Sequence, residues 1–179
     1  MKIRFREFLE LATIAGMAAI VLGLGSWLDD NWRPWLLGLV VVFSLTKTVY
    51  FIFEILWHLH QAIAADLAYH RFVMLIAYNM AEVTFSFAVD YFCLLSIDAE
   101  SLSGVDPVLS GGLLLFECFY FSVLNFSYFG YGEIMPANVA AKIIVLTEIV
   151  TAFSTVIFLL SDFISMKESI RRSRNINGG

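Results

Sequence analysis

Gly130-Tyr131-Gly132-Glu133, followed by Pro136, suit one kind of chemistry: the coordination of a dehydrated cation by backbone oxygen. Glycine on either side of Tyr131 lets the main chain take conformations that a side chain would forbid. Successive carbonyls can then turn to one side and replace the water around an ion. No competing chemistry is offered elsewhere. Cys93 and Cys118 are too few and too far apart for a metal cluster, and both lie in apolar runs where free thiols act as small apolar side chains; a bridge between them is the alternative. There is no phosphate-binding glycine loop, nucleophile-base pairing or zinc motif. Nothing here argues for an enzyme or a cofactor, and a transported cation is the ligand these residues suit.

Carbonyl coordination needs a place from which water is held back, and the composition says where that place is. Of 179 residues, 60% are hydrophobic and only 15% charged, with a mean hydropathy of +0.80, which makes this a polytopic membrane protein. Its length leaves no room for a separate soluble ligand-binding or catalytic domain beside the membrane part. The net charge of -5 comes from acids scattered over helix ends and loops, so it implies no nucleic-acid partner.

A spanning helix needs about 20 mostly apolar residues, and four stretches qualify: Phe5 to Leu28, Trp35 to Trp57, Phe72 to Ile97 and Val139 to Phe163. A fifth run, Leu113 to Ser127, is too short to span. Irregular backbone facing lipid is not tolerated, so a short helix followed by Gly-rich chain at membrane depth must be shielded by protein or line a water-filled cavity. The fold class read from this is an all-α membrane protein, four transmembrane helices plus a re-entrant helix and loop. It divides into an N-terminal two-helix hairpin over 1–71, a second membrane unit over 72–166 and a basic tail over 167–179. Lys2, Arg4, Arg6, Arg71, Lys167, Arg171, Arg172 and Arg174 mark the cytoplasmic side. Both termini are therefore expected inside a multi-pass protein of the cell membrane, with the loop from Asp98 to Asp106 outside. The first helix is expected to be retained rather than cleaved.

In its setting, Tyr120-Phe-Ser-Val-Leu-Asn-Phe-Ser-Tyr-Phe-Gly-Tyr-Gly-Glu-Ile-Met-Pro136, the tripeptide resembles the pore helix and selectivity filter of tetrameric potassium channels of the two-helix pore-loop type. The resemblance covers Leu113 to Ser165. It implies a homotetramer in membrane lipid that conducts K+ over the carbonyls of Tyr128, Phe129, Gly130 and Tyr131, with Gly132 closing the filter. Ser127, Glu133 and Leu124 would support it, Glu133 standing where the family usually has Asp. Lys142 takes the place of a common basic residue, and Glu148 matches a carboxylate often seen in bacterial members. Phe153, Val156, Leu160 and Ile164 would line the pore as a gate. Three departures bear on selectivity and opening: Tyr128 where the family has Thr, Leu124 where some relatives carry a carboxylate, and Ala152 where a hinge Gly often occurs. The alternatives are a weakly selective or non-conducting pore-loop cation channel and an accessory membrane subunit.

Two further sets of residues are expected to pack rather than act. Lys47 is almost central in the second helix, and intramembrane charges face the bundle interior with a partner. Glu82 lies at a similar depth in the third helix and is the expected partner, with Glu148 as the alternative. Neither early helix carries the basic residue at every third position that a voltage sensor needs. His58, His60 and His70 are expected to be interfacial polar residues, with pH sensing as the alternative.

Overall fold

The computed structural model describes residues 16, 19, 23, 30–64, 69–130 and 132–177. A short 3-10 turn, Asp30–Trp32, leads into helix α1, Arg33–Ala64. Pro34 falls in its first turn, where a missing N–H costs nothing. Helix α2 is Tyr69–Ile97, α3 is Gly111–Phe126 and α4 is Val139–Asn177. Between them lie two two-residue strands, β1 (Leu102–Ser103) and β2 (Met135–Pro136). They pair antiparallel, with Leu102 opposite Pro136 and Ser103 opposite Met135. The expected first helix, Phe5 to Leu28, lies outside the described residues apart from isolated positions, as do the side chains of His58, His60 and His70.

Among the described residues, three helices are long and apolar enough to cross a membrane, within Arg33–Phe53, Ala77–Ile97 and Val139–Phe158. With 16 residues, α3 is about 24 Å long at 1.5 Å per residue, short of a hydrocarbon core of roughly 30 Å. The second and fourth expected helices both run on. α1 continues past Trp57 to Ala64, and α4 passes through Arg171–Arg174 to Asn177 as one unbroken helix.

The core is built around α2. Val83, Phe87, Ala88, Tyr91 and Leu94 are fully buried, and against them pack Cys118 and Phe121 of α3 and Ala141, Ile144 and Val145 of α4. Buried positions on α3 recur at Cys118, Phe121, Ser122 and Asn125, one stripe of a 3.6-residue repeat. The buried threonines of α4 are satisfied locally. The hydroxyls of Thr147, Thr151 and Thr155 each donate to the carbonyl four residues back, at 2.7–2.8 Å. Cys93 and Cys118 are both buried free thiols.

Candidate functional site

At the end of α3 the chain makes a particular cap. The N–H of Phe129 donates to the Leu124 carbonyl at 3.1 Å, and that of Tyr128 to the Asn125 carbonyl at 3.2 Å. These are the two bonds of a Schellman motif, in which the residue after the cap turns left-handed and is usually glycine. Here that residue is Tyr128, with φ +57°, the one non-glycine residue at positive φ among the described residues. Ser127 is spent on the same cap, its hydroxyl donating to the Val123 carbonyl at 2.6 Å. The Tyr128 ring is turned onto Phe153 of α4, centroids 4.7 Å apart.

After the cap, Gly130 takes φ +82°, and Phe129, Gly130, Gly132 and Glu133 are exposed in the single chain. Tyr131 lies outside the described residues. Leu124 stands behind the loop, its Cδ1 3.9 Å from where a Cβ on Gly132 would be. The far end of the segment is held by the loop between α2 and α3. The N–H of Ala137 donates to the Ser101 carbonyl at 2.9 Å, and the Ser103 hydroxyl to the Met135 carbonyl at 3.2 Å. Asn138 caps α4 through the Ala141 N–H at 2.9 Å, and its amide donates to Asp98 and to the Ser101 hydroxyl. Gly104, at φ +88°, passes so near this strand that a Cβ would stand 2.0 Å from the Glu133 carbonyl oxygen. Lys142 is exposed on the first turns of α4.

Behind the loop, a fully buried Glu148 joins three helices. Its Oε2 accepts from the Tyr91 hydroxyl of α2 at 2.6 Å and from the Asn125 amide of α3 at 3.3 Å, and its Oε1 meets the Ser122 hydroxyl of α3. A mid-helix carboxylate was visible in the sequence, but its donors were not, since Tyr91 is far away along the chain and Ser122 and Asn125 are ordinary residues of a short apolar helix.

The expected pairing of Lys47 with Glu82, or with Glu148, is corrected. Lys47 Nζ lies 2.7 Å from Asp90 Oδ2 and 3.0 Å from the Ser86 carbonyl, with the Phe87 ring centroid at 5.0 Å. Depth counted from helix ends failed because α1 outruns Trp57 to Ala64 while α2 starts at Tyr69, which puts Lys47 level with Ser86, about one turn beyond Glu82, and its side chain reaches Asp90 one turn further on. Asp90 is fully buried, whereas Glu82 is half-buried. Its signal was a lone acid in the run Phe-Ala-Val-Asp-Tyr-Phe-Cys.

On α4 the exposed stripe is Val139, Ile143, Leu146, Val150, Phe153 and Ile157. Steps of four and three alternate, as a 3.6-residue repeat requires. Of the expected gate stripe, Phe153 is exposed on this face and Val156 is half-buried, while Ile157 is exposed. Leu160 and Ile164 follow Phe153 and Ile157 in register, and their side chains lie outside the described residues. Ala152 is fully buried, and α4 runs through it without a break.

Comparison with known proteins gives one finding: a family model described as ion channel matches residues 72–168. No curated protein and no solved structure matches the chain.

Proposed function

Because the chain belongs to the ion channel family, we propose that it is a potassium-selective channel of the cell membrane, built from four copies of the chain around a central axis. The observation that carries this reading is the state of the glycine loop in one chain. The loop is anchored before by the α3 cap and after by β2, yet Phe129 is 84% exposed and Gly130 and Gly132 are exposed too. It is one wall of something whose other walls come from elsewhere. One loop supplies a quarter of a ring of carbonyls, and closed rotational symmetry supplies the rest. In this arrangement α3 is a re-entrant pore helix whose C-terminal end, with its partial negative charge, favours a cation in the cavity. Ions shed water onto the carbonyls of Tyr128, Phe129, Gly130 and Tyr131. The basic residues keep both termini cytoplasmic. K+ is cargo, and the reading involves no cofactor.

Flux from liposomes loaded with K+, with Na+ as competitor and Ba2+ as blocker, tests this. Expected is a Ba2+-sensitive K+ flux that exceeds the Na+ flux. Equal K+ and Na+ fluxes would replace this reading with a weakly selective pore. Absence of flux from intact tetramers would make the chain a non-conducting or accessory subunit.

A further inference from the structure

The hydrogen bonds around Glu148 can be counted proton by proton. The Ser122 hydroxyl lies between two oxygens, the Thr84 carbonyl of α2 at 2.8 Å and Glu148 Oε1 of α4. A carbonyl oxygen can only accept, and a serine hydroxyl carries a single proton. Three oxygens in a row make two contacts, so two protons are needed. Ser122 supplies one. If Glu148 were a carboxylate, the other contact would set lone pair against lone pair at hydrogen-bond distance inside a buried site, where an unmade bond is costly. On its other oxygen Glu148 meets only donors, the Tyr91 hydroxyl and the Asn125 amide; Asn125 Nδ2 also lies 3.4 Å from the Tyr91 oxygen. That oxygen therefore accepts, and the missing proton sits on Oε1.

We infer that Glu148 is a neutral carboxylic acid, donating through Oε1 to Ser122, which donates to the Thr84 carbonyl, and accepting through Oε2 from Tyr91 and Asn125. It is a proton-holding site joining α2, α3 and α4 behind the glycine loop, and Glu148 is a positioning residue for the helix that presents that loop. Asp90, next to Tyr91 on α2, is paired with Lys47 of α1. The count does not depend on ion conduction, so it stands or falls separately from the proposed function.

Infrared difference spectra of the reconstituted protein in H2O and D2O test it. Expected is a carbonyl-stretch band of a protonated acid that shifts down in D2O, disappears in Glu148→Gln and persists in Asp90→Asn. Tyr91→Phe should move the band to higher frequency, because the carbonyl loses a donor. That variant, with Ser122→Ala, also assigns the band if Glu148→Gln does not fold. Glutamine keeps the shape and offers a carbonyl acceptor and an amide NH2 whose one N–H can replace the acid proton, so Glu148→Gln should unfold close to wild type and Glu148→Leu well below it. A wild-type spectrum without a protonated-acid band, or loss of carboxylate intensity in Glu148→Gln, would overturn the assignment.

Discussion

Replacing Lys47 by Met removes the ammonium that lies 2.7 Å from Asp90 Oδ2 and leaves a fully buried carboxylate facing an apolar side chain. Breaking a buried pair from one side typically costs about 3 to 5 kcal/mol, whereas replacing both partners by residues of similar volume is close to neutral. The ammonium also sits over the Phe87 ring at 5.0 Å, a contact that contributes about 0.5 to 1 kcal/mol. Lys47→Met should therefore destabilise by about 4 kcal/mol, roughly a thousandfold in the unfolding equilibrium. Lys47→Met with Asp90→Asn should recover most of that loss. Unfolding of the protein in mixed micelles, followed by circular dichroism against rising dodecyl sulfate, measures all four corners of the cycle. The contrast is Lys47→Met with Glu82→Gln, for which no recovery is expected. If the Lys47 and Asp90 variants add without coupling, or if Glu82→Gln rescues Lys47→Met, the pair seen between α1 and α2 does not stabilise the protein.

Other consequences concern the loop and the inner helix. Gly104→Ala must hold a left-handed φ, at about 1 to 2 kcal/mol, and must also push back the Glu133 carbonyl. Thermal melting should show weaker stabilisation by added K+ in this variant, while Gly112→Ala, whose Cβ would meet nothing within 4 Å, melts as wild type. Tyr128→Thr removes the ring from Phe153 and restores a small hydroxyl at the start of the loop. Single-channel recording should give a larger unitary conductance with K+ still preferred, and no increase would refute this account of Tyr128. Leu160→Ser or Ile164→Ser should raise basal flux if the inner stripe closes the pore by dewetting. Unchanged flux with full assembly would assign that stripe to ordinary packing.

What could be read from the sequence was whatever is written in consecutive residues. The apolar runs gave α1, α2 and α4, and the shorter run before Gly130 gave α3, because length and hydropathy alone decide whether a helix can cross a membrane. Of the stripe expected on α4, Phe153 is exposed and Val156 half-buried, a step where three-residue and four-residue spacings are both helical and only packing chooses. The long-range contacts were not legible. Lys47 was recognised as needing a partner, but which acid it meets depends on how far α1 outruns Trp57. Gly104 drew no notice because its reason, the backbone of Glu133, lies across a loop. Tyr128 was recognised as unusual, yet the left-handed cap that accommodates it rests on bonds to Leu124 and Asn125 that any residue's N–H could make.

The central claim is that four glycine loops together pass K+ and hold back Na+. It is tested most directly by the reversal potential of the purified protein in a planar bilayer with K+ on one side and an equal concentration of Na+ on the other. A strongly displaced reversal potential, of the sign that K+ permeation alone would give, is the predicted result. A reversal potential at zero, from currents that Ba2+ still blocks, would contradict it.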